Sequence, residues 1–541
     1  MCPRVEARRH LTMGGPVSDP THQQSGPGTF WTTVNAAEAL PGVSTPLNWT
    51  LFGEPVERAF RGTFADMGVI RERDVVVSPS VDDRLWGMFF GRAAANLDAF
   101  RRLADLTPGT SGDAFEEQIF GTVRPGVAGH PSKRRYPVAA VKFPRAAIAA
   151  PKVLARHRAD IERFWQASTG PTDVVTAAAR FRSAMARFEA VMRPHTLAAM
   201  LCQGIYEQLR KLCLAAGHPG LETRLMTGYG TSFEETRLMA DLWSVSRGTQ
   251  SMDTFLAAHG YHGPAEGEVS SRSWREDPSP IESLAETYRN MDETASPLAV
   301  QRNQAREREA AAAQLLGGLG RSQRASARFL LRVACRYIPL REVGKTAFLQ
   351  AVDVARANAR IMGEDLARRG VLAHADDVFY LTVEEPLGEP PPDAKQITAS
   401  RRDRREDYLR LRLPESWTGE PSPIPIEEGA AASAGDEITG LAVSPGVVEG
   451  RARVVTDPGE PLEEGEILVC ETTDPSWTSL FLVAGGLVID IGGALSHGAI
   501  VARELGVPCV INTKVGTTRL RTGDLLRVDG DAGVVSVLAS A

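Results

Sequence analysis

Cysteine is sparse in this 541-residue chain. The six that occur, Cys2, Cys202, Cys213, Cys335, Cys470 and Cys509, are scattered and form no Cys-x-x-Cys pair. That excludes a dense disulfide framework and a zinc ribbon, and it fits a reducing, cytoplasmic setting. Long apolar runs are missing too: none approaches the roughly 18–20 residues a membrane span needs. Arg4, Arg8 and Arg9 stand near the N-terminus with no apolar stretch behind them, so no secretory signal is expected. Positive charge is not in excess. A net charge of −6 argues against a general binder of nucleic acid or of anionic membrane. There is no internal repeat and no phosphate-cradling P-loop sequence.

The length allows two to four domains with cores of their own. Residues 1–28, rich in Gly, Pro, Ser and Gln, are expected to be a disordered tail. From 29 to 385 helical signals dominate. Ala177 to Leu214 carries Phe181, Met185, Phe188, Val191 and Met192 at helical spacing, with Pro194 as a possible kink. Further helices are expected at 281–316, 322–337 and 343–370, the last closing on Arg368-Arg369-Gly370. Residues 386–436, with Pro390-Pro391-Pro392 and a run of alanines, read as a linker holding a short charged helix. From 437 to 541 short Val/Ile-rich runs alternate with glycine turns. The expected fold is a mostly α-helical domain followed by a small α/β domain.

One stretch of the second domain carries chemistry: Gly492-Gly493-Ala494-Leu495-Ser496-His497-Gly498-Ala499-Ile500-Val501-Ala502-Arg503-Glu504-Leu505-Gly506-Val507-Pro508. Ser496 can cap a helix that ends at Gly506. His497 then stands where free backbone N–H groups and the positive helix end favour an anion, or a phosphoryl group on the imidazole itself.

This run resembles the phosphohistidine swivelling domain of the phosphoenolpyruvate-utilising enzymes, a family that includes phosphoenolpyruvate synthase and rifampicin phosphotransferase. Gly440-Leu441-Ala442-Val443-Ser444-Pro445-Gly446, Gly465-Glu466-Ile467-Leu468-Val469, Thr472-Thr473-Asp474-Pro475 and Val528-Asp529-Gly530-Asp531 extend the resemblance over about a hundred residues. Some relatives carry a regulatory threonine two residues before the histidine; Leu495 stands there. Phe30-Trp31-Thr32 to Thr45-Pro46-Leu47-Asn48-Trp49, Arg341-Glu342-Val343-Gly344-Lys345 and Asp376 to Leu381 resemble the family's helical substrate domain.

The resemblance implies that His497 carries a phosphoryl group, with Ser496, Arg503 and Gly493 around the phosphate. It places an acceptor loop at His259-Gly260-Tyr261-His262-Gly263-Pro264-Ala265-Glu266-Gly267-Glu268. Glu268 or His262 is expected as general base, Arg272 as clamp and Glu266 beside them. Lys345 and Arg341 are further phosphate contacts. His195, His218 and His374 show no partner spacing and are assigned structural roles. The run after Glu268 departs from the antibiotic enzymes, so rifampicin itself is not the expected acceptor; a small hydroxylated molecule is. Neither an ATP-grasp domain nor the phosphoenolpyruvate barrel is recognisable. ATP and Mg²⁺ are therefore expected through an ATP-grasp partner in trans, with no cofactor and no metal set on this chain. Phosphorylation followed by elimination would make the pair a dehydratase. A non-catalytic phosphocarrier and a binding protein whose histidine is never phosphorylated are the other readings.

Overall fold

The structure is a computed structural model. It describes residues 19–541 apart from 35, 37–39, 41, 121–122, 169, 171, 230–233, 294–295, 427–430, 474 and 494–495. Most of the expected tail, and the position of Leu495, lie outside the described residues. Residues 19–28 are tied down, in contrast to the expectation. Tyr408 donates to the Asp19 carboxylate at 2.6 Å and Trp31 Nε1 donates to Ser25 Oγ at 2.8 Å.

A mostly helical body precedes an α/β domain. The body is organised round the helix Leu340–Arg368, whose small buried positions Gly344, Ala347, Ala351, Ala355, Ala359 and Gly363 let neighbours approach closely. Against it pack Pro46–Asp66, Tyr136–Ala167 and Val174–Ala215. One apolar cluster joins Leu47, Phe52, Trp165, Phe188 and Val352. The 42-residue helix Val174–Ala215 starts at Asp173, whose carboxylate accepts from the N–H groups of Val175 and Thr176, and runs on through Pro194. The expected helix at 281–316 is two, Ser279–Asn290 and Pro297–Gly318, with Pro297 in the first turn of the second, where its missing N–H costs nothing.

The expected linker is largely folded. Ala394–Leu409 is a helix on the body, and Ser416–Thr418 pairs antiparallel with Phe30–Thr32 in a four-stranded sheet completed by Trp86–Phe89 and Arg92–Asn96. Trp417 and Trp31 both pack edge-on against Phe89, with ring centroids 5.5 and 4.9 Å away. The proline and alanine content of this stretch concealed a buried tryptophan.

The C-terminal sheet has eight strands, in the order Glu437–Thr439, Val534–Ala539, Leu525–Asp529, Val447–Val454, Ile467–Cys470, Gly486–Ile489, Cys509–Ile511 and Leu441–Ser444. The pairings from Val447–Val454 through Cys509–Ile511 are parallel, and the others are antiparallel. The inner parallel strands Ile467–Cys470, Gly486–Ile489 and Cys509–Ile511 are mostly Val, Ile and Leu and buried throughout, as strands covered on both faces must be.

The two parts share a core. Leu238, Leu242, Trp243 and Tyr288 of the body lie in one buried cluster with Leu480, Phe481, Ile489 and Ile511 of the sheet domain. Tyr288 donates to the Ser479 carbonyl at 2.9 Å, and Gly228 N–H donates to the Glu504 carboxylate at 2.8 Å. The histidine domain is therefore seated on the helical body.

Candidate active site

His497 opens the helix His497–Leu505, with Ser496 as its cap accepting from Ala499 N–H at 3.3 Å. Gly506 ends the helix at φ +69°, the left-handed conformation in which a side chain is strained. At Gly498 a Cβ would stand 2.6 Å from Ile489 and 2.8 Å from Thr473, so only glycine lets the first turn lie this close to the sheet. The ring is held at both nitrogens: Nδ1 lies 3.4 Å from Thr473 Oγ1 and Nε2 lies 3.0 Å from Thr478 Oγ1.

Nε2 faces the helical body. Glu235 Oε1 is 3.9 Å away, and Lys345 Nζ lies 3.4 Å from the same oxygen. Glu342 hydrogen-bonds to Glu235. Burial, and then the charge of Lys345, push the His497 imidazole well below its ordinary range, with Glu235 opposing. A neutral ring is the nucleophilic form. Burial opposes charge on Lys345 as well, but ionised Glu235 holds it protonated. Glu235 and Glu342 titrate together. Burial disfavours charge on both, and the Lys345 ammonium favours it on Glu235, so Glu235 is the ionised member and Glu342 keeps the shared proton.

Next to this cluster lies the glycine-rich loop. His262 Nδ1 hydrogen-bonds to the buried Glu266 carboxyl, and the ring contributes electrostatically at His497. The loop is anchored from behind: Arg356 donates to the Glu266 carbonyl at 2.8 Å, and Val269 N–H donates to Asn48 Oδ1 at 3.1 Å. His497, Lys345, Arg341, His262 and Glu266 are thus brought into one electrostatic neighbourhood.

Three expected residues do other work. Glu268 accepts from the Thr45 N–H at 3.0 Å and the Thr45 hydroxyl at 2.7 Å, bracing the start of the helix Pro46–Asp66. It is not placed to act as the base. Arg272 is exposed and interacts with Asp277 and Arg360, away from the imidazole. Arg503 runs to the Val443 carbonyl at 3.3 Å and is buried between strand and helix. Ser496 is a cap, and Gly493 accepts the Ser496 N–H at 3.0 Å. His195 is buried against Phe348.

Sequence reasoning passed over Glu235 and Glu342. Both had a signal. Glu235 heads the stripe Glu235, Leu238, Met239, Leu242, a charge on an otherwise apolar helix face. Glu342 lies three residues before Lys345, on the same side of its helix.

Residues 462–533 match the family described as PEP-utilising enzyme, mobile domain, and residues 206–342 match the fourth domain of rifampicin phosphotransferase. A rifampicin phosphotransferase of Streptomyces sviceus is 32% identical over 324 residues, covering 57% of this chain and 36% of that protein. An uncharacterised protein of Mycobacterium tuberculosis is 33% identical over 288 residues, covering 53% of this chain and 31% of that one. The rifampicin phosphotransferase of Bacillus subtilis is 38% identical over 178 residues, covering 32% and 20%. The chain thus spans about a third or less of the length of these relatives. It resembles phosphoenolpyruvate-utilising enzymes across both matched segments, which between them contain His497, Glu235, Glu342 and the glycine-rich loop.

Proposed function

We propose that the chain is a phosphotransferase that carries a phosphoryl group on His497 Nε2 and passes it to the hydroxyl of a small molecule bound beside Lys345. The observation that carries this reading is the approach of His497 Nε2 to a lysine and a carboxylate pair on a different domain. A structural histidine has no need of them.

In the transfer step the nitrogen–phosphorus bond breaks as the acceptor oxygen bonds to phosphorus. Lys345 neutralises charge on the equatorial oxygens, the usual requirement of a loose phosphoryl-transfer transition state. The acceptor proton passes to ionised Glu235, and Glu342 supplies the hydrogen bond that positions it. The attacking neutral imidazole carries its proton on Nδ1, beside Thr473 Oγ1, and keeps it while Nε2 is phosphorylated, so the ring leaves as neutral imidazole. His262, which with Glu268 was one of two bases expected from sequence, acts instead on the field at His497. The product is a phosphoester, or an alkene where phosphate then departs; phosphorus NMR separates the two.

The phosphoryl source we assign to an ATP-grasp nucleotide-binding protein with its own Mg²⁺, following the resemblance of the His497 segment. The test combines the full chain with such a protein and ATP labelled at the β-phosphate; phosphoramidate serves as a donor that needs no partner. Acid-labile label on the wild type, lost in His497→Ala, is expected. Label that persists in His497→Ala, or no label with either donor, would sink the proposal.

A further inference from the structure

A second group of side chains stands at the base of the same loop. His259 ends the helix Met252–His259, His262 follows one turn later, and Glu234 begins the helix Glu234–Ser246. One ligand atom from each lies within 4.8 Å of the other two. His259 Nδ1 is 3.7 Å from Glu234 Oε1, the side chain is fully buried, and this nitrogen has no hydrogen-bond partner. Two nitrogens and a carboxylate oxygen, each about 2 Å from a shared ion, would stand roughly 3–3.5 Å apart. A small closure brings the three into range.

The backing of the two rings points the same way. His259 is held from behind at Nε2 by Asp241 at 2.7 Å, and His262 is held from behind at Nδ1 by Glu266. The Asp241 carboxyl on the far nitrogen of His259 fixes that ring with Nδ1 toward Glu234, and such a partner is the second layer that surrounds metal-bound histidines. His259 Nδ1 faces Glu234, and one ring nitrogen of His262 lies within 4.8 Å of both. A histidine that served only packing would not need an ionisable group behind it in a buried site. Imidazole pairs with one carboxylate select zinc and its first-row neighbours over Mg²⁺ or Ca²⁺, which prefer oxygen.

We propose that Glu234, His259 and His262 bind a divalent first-row transition-metal ion, of which Zn²⁺ is the type, at the foot of the acceptor site. Arg237 competes for Glu234, donating to Oε1 at 2.6 Å. Its side chain is 39% exposed and can swing away to solvent. Tyr261 donates to that oxygen as well, at 3.1 Å, and stays as an outer contact. Three protein ligands leave a coordination position open, as in catalytic rather than structural zinc sites. The ion would stand where an acceptor oxygen enters, and this last point alone rests on the phosphotransfer reading.

The experiment uses the full chain stripped with a chelator and titrated with Zn²⁺ by calorimetry and with Co²⁺ by visible absorption. Wild type is expected to bind one equivalent of each, with a Co²⁺ spectrum of mixed nitrogen and oxygen ligation. His259→Ala is expected to weaken Zn²⁺ binding at least 100-fold, and Asp241→Asn, which keeps the ring and its packing, about 10-fold. His497→Ala is expected to bind as wild type does, so the site is read independently of phosphotransfer. Wild type that takes up no stoichiometric ion overturns the proposal. So does wild-type affinity that is unchanged in both His259→Ala and Asp241→Asn.

Discussion

In the proposed transfer step Lys345 is the residue on which the chemistry depends most. On that reading it is the cation beside the phosphoryl group, and ionised Glu235 keeps it charged despite burial. Lys345→Met is expected to slow transfer to acceptor about 10²–10³-fold, the usual cost of one lost charge-stabilising group. Loading of His497 by phosphoramidate should be nearly unchanged, and rapid-quench measurement of the two steps checks the split. His497 also sets a pH dependence. Its folded ring resists protonation, so the folded chain binds fewer protons here than the unfolded chain. The stability this group contributes is complete above the ordinary imidazole value of 6.5 and is lost as pH falls below it. His497→Gln should flatten the acid limb of a plot of melting temperature against pH between about 6.5 and 5.

Among the elements, the helix His497–Leu505 carries both the phosphate site and a latch. Ser496→Ala removes its cap and is expected to cost about 1 kcal/mol in a denaturant melt. Glu504, on the same helix, accepts from Gly228 of the body, and burial pushes its carboxyl up to about 7. The sign here is opposite to that of His497. The contribution of a raised carboxyl is fully present below its ordinary value of 4.5 and is lost as pH rises through about 7. Glu504→Gln should remove this loss, so that at pH 8 the interdomain segment resists limited proteolysis better than in wild type. Elements were legible from sequence where periodicity was long and chemistry local. The helices Val174–Ala215, Arg321–Tyr337 and Leu340–Arg368, and the capped His497 helix, all follow from spacing and caps. The strand Ser416–Thr418 was not legible, because it is set by pairing with Phe30–Thr32, nearly four hundred residues earlier in the chain. Glu268 misled for a related reason: a glutamate in a glycine-rich loop looks alike whether it faces a substrate or a helix N-terminus, and only tertiary packing decided for Thr45.

At the scale of the whole molecule the histidine domain is seated on the helical body, the pose that the proposed delivery step requires, whereas the proposed loading step requires another. Contacts that hold the docked pose therefore oppose the first half-reaction and favour the second. Tyr288→Phe removes the hydrogen bond to the Ser479 carbonyl, about 1 kcal/mol. It should speed loading from a protein donor by several-fold and slow transfer to acceptor by a similar factor. Equal slowing of both steps would mean that the contact stabilises the fold without governing the swing.

The docked face is built mainly from Leu238, Trp243, Phe481 and their neighbours, and this gives the cycle a temperature dependence of its own. Wetting such a surface raises the heat capacity, and the tendency of apolar groups to stay together weakens on cooling. In the proposed cycle each departure of the domain from the body would wet that surface. On the proposed reading, His497 is expected to spend more of its time away from the acceptor in the cold, and turnover to fall more steeply than the barrier of the chemical step alone would require.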